Sequence, residues 1–161
     1  MNNNEIFSSY HGNVDLQVFL KPDADDVIVA CLCTQPGGFN GTGEAIEVHF
    51  SPYAAKDLAV DILAGDFSQM AELKRSLYDY DEGSQIRSPL GLPVYEFEDK
   101  DKSALRIYHC SSNIYAVEVR NSKCEVSVTL RTYDLRRFAR SLDFGVSALA
   151  ARYGVSCRRP A

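Results

Sequence analysis

Cys31 and Cys33 lie two residues apart in the apolar run Val27-Ile28-Val29-Ala30-Cys31-Leu32-Cys33, so in an extended strand both thiols point to one face. With His49 on a neighbouring strand they would bring together donor types that hold zinc, but no fourth ligand is evident and alternate cysteines in an apolar strand are ordinary core. His109 and Cys110 are adjacent, and adjacent side chains of a strand face opposite ways, which separates a nucleophile from its base. Gly37, Gly38, Gly41 and Gly43 in QPGGFNGTG have the glycine density of a phosphate cradle. That run lacks a Walker lysine and leads into a strand rather than onto the N-terminus of a helix. The reading is therefore of a chain with no catalytic residue, no metal site and no cofactor. The glycine run becomes a long hairpin loop that presents Phe39 at its tip as a contact residue.

Cations carry the remaining chemistry. Leu135, Phe138, Ala139 and Leu142 recur at the spacing of one helix face, leaving Arg136, Arg137 and Arg140 on or beside the opposite one. With Arg152, Arg158 and Arg159 they would form a cationic patch able to meet nucleic acid or an acidic protein. Period-two alternation puts Arg106, Tyr108, Glu118, Arg120, Ser127, Thr129 and Arg131 on one face of a predicted sheet. Cations, a ring and hydroxyls on one face suit phosphates and stacked bases. The candidate binding residues are Phe39, Arg106, Tyr108, Arg120, Arg131, Arg136, Arg137 and Arg140.

Two related stretches, 80 positions apart, must position these residues. Residues 45–63 and 125–142 spell nearly the same strand-into-helix unit: Tyr53 matches Tyr133, Leu58 Phe138, Ala59 Ala139, Ile62 Leu142 and Gly65 Gly145. A duplication of this kind can build a pseudo-two-fold body from one chain. Alternation predicts strands over 5–10, 14–20, 27–33 and 44–50 in the first copy, and over 94–98, 105–110, 114–120 and 125–130 in the second. Ser51 is a hydroxyl N-cap followed by Pro52 at the first helical position, and the helix should run to about residue 64 and stop or kink at Gly65. Helical spacing resumes after each matched glycine, with Phe67, Met70, Leu73 and Leu77 in one copy and Val146, Leu149 and Tyr153 in the other.

The fold class is thus α+β, with two tandem ββββα-type repeats, each an antiparallel meander backed by a helix with a short helical extension. The repeats span 1–78 and 94–161, joined by a linker at 79–93 and packed as one compact domain. In the first copy, the sheet face away from the helix is expected to carry Phe19, Val27, Val29, Cys31, Cys33, Glu47 and His49, too apolar to stand open and in need of a cover. The ββββα order resembles that of Whirly, PUR and PC4-like binders of single-stranded nucleic acid, in which two such units pack together. The resemblance is one of topology over most of the chain. It implies a binding surface on the sheet face opposite the helix.

A chain of 161 residues that is 45% hydrophobic and 24% charged can bury a core without staples. No run approaches the roughly 18 apolar residues of a membrane helix, and residues 1–9 are polar, so a cytoplasmic location with no membrane contact is expected. Five cysteines without a framework spacing fit a reducing compartment. The net charge of −5 divides unevenly: residues 1–83 hold four Lys/Arg against fourteen Asp/Glu, and the remainder thirteen against eight. The expected function is a non-enzymatic protein-interaction module, of inhibitor, immunity or adaptor type, acting through the divergent surfaces of the two repeats. The alternative is binding of single-stranded DNA or RNA on the second repeat's sheet, against which the overall acidity weighs. A protein partner is expected, and a homodimer is compatible with the pattern.

Overall fold

A computed structural model of the chain describes residues 4–22, 24–34, 45–65, 93–111 and 113–153. The first half is a four-stranded antiparallel meander of β1 (Asn4–His11), β2 (Val14–Leu20), β3 (Val27–Cys33) and β4 (Ala45–Phe50), followed by helix α1 (Pro52–Leu63). The second half repeats the layout with β5 (Pro93–Glu98), β6 (Ala104–Ser111), β7 (Ile114–Arg120) and β8 (Glu125–Arg131), followed by helix α2 (Thr132–Tyr153). The α+β class and the repeated strand-then-helix order are those the sequence predicts. The loop carrying Phe39, the helical extension predicted from Phe67 to Leu77, the linker up to residue 92, and Arg158 and Arg159 lie outside the described residues.

Local chemistry sets the turns. Between β1 and β2 the chain reverses through Gly12, whose φ of 64° is left-handed and suits a residue without Cβ. The β5–β6 turn is organised by Asp99, whose carboxylate accepts from the backbone N–H groups of Asp101 and Ser103. Asn121 does the same for Lys123 and Cys124 in the β7–β8 turn. Helix α1 begins as expected: the Ser51 hydroxyl accepts from the Ala54 N–H and Pro52 occupies the first turn. It ends at Gly65, which adopts φ 82°.

The inner faces of both sheets and the apolar stripes of both helices share one buried cluster, from Phe7, Val29 and Leu58 in the first half to Val117, Phe138 and Leu149 in the second. Helix α2 runs along α1 and touches β1, β2 and β3 of the first sheet as well as β7 and β8 of its own. Aromatic contacts join the halves: Phe50 stacks on Phe97 with centroids 4.3 Å apart, and Phe7 meets Phe138 edge-on at 5.9 Å. Polar contacts follow the same seam. The His49 N–H on β4 donates to Asp99 at 3.0 Å, Lys56 of α1 pairs with Asp143 of α2, and Arg136 donates to the Leu63 carbonyl at the end of α1.

The helical extension predicted after Gly145 is continuous with the helix before it, α2 running unbroken to Tyr153. Gly145 lies where α2 crosses the first sheet: a Cβ there would sit 3.3 Å from side-chain methyls of Ile6 and Val27, so the missing side chain lets the elements approach. One expectation, the orientation of β3, is corrected. Leu16, Cys31 and Ile46 align across the first sheet, as do Val18, Val29 and Val48, and both rows belong to the shared core. Val27, Val29, Cys31 and Cys33 therefore face the helices, while Phe19, Glu47 and His49 lie on the outer face with Ile28 and Ala30. Both sides of β3 are apolar, so alternation alone cannot orient it, and only the register with β2 and β4 does.

Candidate functional site

On the outer face of the second sheet, strand register arranges charged residues in two rows. Glu96, Arg106, Glu118 and Ser127 form one row from β5 to β8, and Glu98, Ala104, Arg120 and Glu125 form the next. Arg106 is clamped by its neighbours, its Nε donating to Glu96 while one terminal nitrogen lies 3.7 Å from Glu118. Burial alone would lower its pKa, but hydrogen bonds to Tyr108 and Glu96 and their charge prevail and raise it. Tyr108 lies on this face as predicted, yet its ring is buried, and its hydroxyl pKa is raised by burial and by the Glu118 carboxylate. Arg131 stands exposed at the far end. Of the four predicted residues on this face, Arg120 and Arg131 make no ion pair or hydrogen bond within the described residues, whereas Arg106 and Tyr108 are engaged.

A hollow of about 440 Å³ opens over Ala104, walled by Arg106 and Arg120 and rimmed by Glu98 and Lys102. A smaller one of about 200 Å³ adjoins it across Arg120 and Asn121. In the neighbouring row Glu118 is 7% exposed, and its Oε1, 3.7 Å from an Arg106 nitrogen, has no hydrogen-bond partner among the described residues. Burial, followed by the nearby Glu125 charge, raises the pKa of this carboxyl, while Arg106 and Arg120 hold it back.

Helix α2 separates its arginines. Arg136 is half-buried and faces α1, where it caps the Leu63 carbonyl. Arg137 pairs with Asp134 at 3.2 Å and lies 5.4 Å from the Phe7 ring centroid. Arg140 is exposed and, among the described residues, has no ion pair. Arg152 donates to the Lys21 carbonyl. What sequence reasoning missed is the company Arg140 keeps. Tyr133 is 69% exposed and Phe144 64% exposed, and Tyr133, Arg137, Arg140 and Phe144 recur at one helical face over about 16 Å. That spacing is the complement of the packed stripe of Leu135, Phe138, Leu142 and Leu149, and is the signal that would have revealed it.

Among the described residues, reactive groups do not converge elsewhere. The Ser9 hydroxyl and His11 Nε2 are 2.8 Å apart on β1, a nucleophile-and-base distance, but no acid orients the imidazole in the described contacts. His49 sits between Asp26 and Glu47 on the opposite face from Cys31 and Cys33, so the cysteines and the histidine do not assemble. Burial drives the Cys31 thiol pKa up to about 12, with Asp15 adding to it, which leaves the group protonated. Among the described residues no three or more His, Cys, Asp or Glu side chains are grouped to hold a metal, and no helix is long and apolar enough to cross a membrane. The chain matches no known protein-family model, and no curated protein is similar to it in sequence.

Proposed function

We propose that this protein is a non-enzymatic protein-interaction module, of inhibitor, immunity or adaptor type, working in the cytoplasm. Its contact surface is the outer stripe of α2, and its partner is a protein presenting an acidic patch. The observation that carries this reading is the exposure of Tyr133 and Phe144 on either side of Arg137 and Arg140. Tyrosine and arginine are the side chains most enriched where binding energy concentrates, and two large rings left in water on a helix otherwise well packed are a cost that a partner removes. Arg140, unpaired among the described residues, selects for a carboxylate between the rings.

Single-stranded nucleic acid remains the second reading, supported by the ββββα order and its likeness to Whirly, PUR and PC4-like folds. The charge pattern argues against it. Arg106 is committed to Glu96 and Glu118, the Tyr108 ring is buried where a base would need to stack, and four carboxylates share the two rows with two arginines. Native co-purification tests the leading reading: a stoichiometric protein is expected with the wild-type chain and not with a Tyr133→Ala/Phe144→Ala variant, and repeated recovery of the wild-type chain alone contradicts it. A fluorescent oligonucleotide titrated at low salt should give a flat response. Salt-sensitive binding would reverse the ranking.

A further inference from the structure

Among the described residues β1, β4, β5 and β8 border the two sheets, and an edge strand leaves N–H and C=O groups open to pairing with another chain. Three of these edges are blunted. β1 has a bulge between Glu5 and Phe7, and β5 starts at Pro93, is bulged before Tyr95 and carries Glu96 and Glu98. On β4 the His49 N–H is already taken by Asp99. β8 has no proline and no register shift, and its central residues Val126 to Leu130 are uncharged. Its bonds to β7 show which groups face the open edge. The Thr132 N–H donates to the Asn113 carbonyl just beyond the Ile114–Arg131 pair, and the Asn121 N–H to the Cys124 carbonyl just beyond the Arg120–Glu125 pair. Both pairs are therefore of the non-hydrogen-bonded kind, and by alternation so are Glu118–Ser127 and Ala116–Thr129. The backbone groups of Glu125, Ser127, Thr129 and Arg131 consequently point away from β7. Among the described residues only one of them has a partner, the Glu125 carbonyl, which the Cys124 thiol approaches at 3.9 Å. All four residues are exposed, and the side chains of Glu125 and Arg131 make no ion pair or hydrogen bond among the described residues.

We propose that β8 is a homodimer interface, at which the β8 strands of two chains pair antiparallel about a two-fold axis at Val128 and join their second sheets edge to edge. In that register Glu125 of each chain faces Arg131 of the other, Ser127 faces Thr129, Val126 faces Leu130 and Val128 faces its own copy. Every outward N–H and C=O of the four residues then finds a partner, and both unpaired charges are matched across the axis. Neighbouring registers do worse. A slip by one residue sets outer side chains against inner ones. A slip by two brings Arg131 to Lys123 of the β7–β8 turn, a like charge, or in the other direction carries Glu125 past the end of the facing strand. A foreign strand would need the same order of charges, and a second copy already has it. This interface lies on the sheet edge, away from the outer stripe of α2, and stands or falls independently of the partner proposed there.

Sedimentation equilibrium of the full chain from micromolar to millimolar concentration tests the proposal. A reversible monomer–dimer equilibrium is expected. Glu125→Arg and Arg131→Glu each set like charges at both ends of the interface and should weaken the dimer about tenfold or more, whereas the double swap Glu125→Arg/Arg131→Glu restores opposite charges and should restore the dimer. Thr129→Pro removes an N–H that no bond within the sheet uses, so the chain should keep its fold, checked by its melting curve, and stay monomeric. If that variant unfolds, the charge swap decides alone. Tyr133→Ala/Phe144→Ala, on the α2 stripe, should dimerise as the wild type does. The proposal is overturned by a wild-type chain that is monomeric at every concentration, by a dimer that neither single reversal weakens, or by a double swap no better than the single changes. Wild-type dimerisation of a folded Thr129→Pro chain, or loss of the dimer in Tyr133→Ala/Phe144→Ala, would also overturn it.

Discussion

At the offset of 80 residues that relates the two copies, α1 has Ala55, Leu58, Ala59 and Ile62 where α2 has Leu135, Phe138, Ala139 and Leu142, and all eight are buried. On the outer side α1 has Tyr53, Asp57, Val60 and Ala64 where α2 has Tyr133, Arg137, Arg140 and Phe144. Tyr53 is half-buried while its counterpart Tyr133 stands in water. The inner positions share one core and must fit it, so they changed only in size. The outer positions carry no such constraint, and there an acidic, nearly ring-free face has its counterpart in a basic face with two rings. A difference that packing does not require is where a binding role is best sought. The matched glycines add a second contrast, since Gly65 ends α1 by turning left-handed whereas Gly145 stays helical and lets α2 lie close on Ile6 and Val27.

This comparison can be broken at several points. The largest effects belong to the shared interior: Phe138→Ala should lose about 3–5 kcal/mol and Leu58→Ala about 2–5 kcal/mol in denaturant unfolding. If one of the pair unfolds the protein and the other is silent, the core is not jointly built. Gly145→Leu should lose about 1–3 kcal/mol or more by overpacking against the first sheet. Gly65→Ala has open space around it and should lose only about 1–2 kcal/mol, through the left-handed backbone. Equal losses by one mechanism would erase the contrast between the glycines. On the outer stripe, Tyr133→Ala and Phe144→Ala should each shift stability by no more than about 0.5 kcal/mol. Each should nonetheless weaken partner binding about tenfold or more.

The smallest effect is one of pH. Glu118 has its folded pKa raised by burial, so between its unfolded and folded values the native state holds the extra proton, and stability falls as pH rises through that window. The penalty is complete above the folded value and absent below the unfolded one. Glu118→Gln should therefore flatten the stability profile over mildly acidic pH and leave the protein no less stable at neutrality. A steeper profile in the variant would contradict this sign.

Much of the architecture was legible because the sequence states it twice. Alternation located all eight strands, and Ser51, Pro52 and Gly65 bounded α1, since each of these signals is local. Orientation was not local. The apolar β3 reads alike on both faces, and the reason for a glycine at 145 appears only once the first sheet is seen lying against it. The candidate site was legible only in part. Arg140 was recognisable as exposed, but the engagement of Arg106 by Glu96 and of Arg136 by the Leu63 carbonyl depends on strand register and on how α1 and α2 pack, neither of which a single segment encodes. The Glu118 oxygen that faces Arg106 without a hydrogen bond among the described residues arises from the same long-range placement.

The central claim is that the outer stripe of α2 binds a protein and that its counterpart on α1 does not. Giving α2 the residues of α1, as the triple variant Arg137→Asp/Arg140→Val/Phe144→Ala, leaves the buried stripe untouched and asks that question directly. Affinity for the co-purified partner, measured side by side with wild type and with a melting curve on each, should fall by about a hundredfold while the fold persists, as expected for loss of several hot-spot side chains. A triple variant that binds the same partner with wild-type affinity would place the interaction elsewhere and contradict the account.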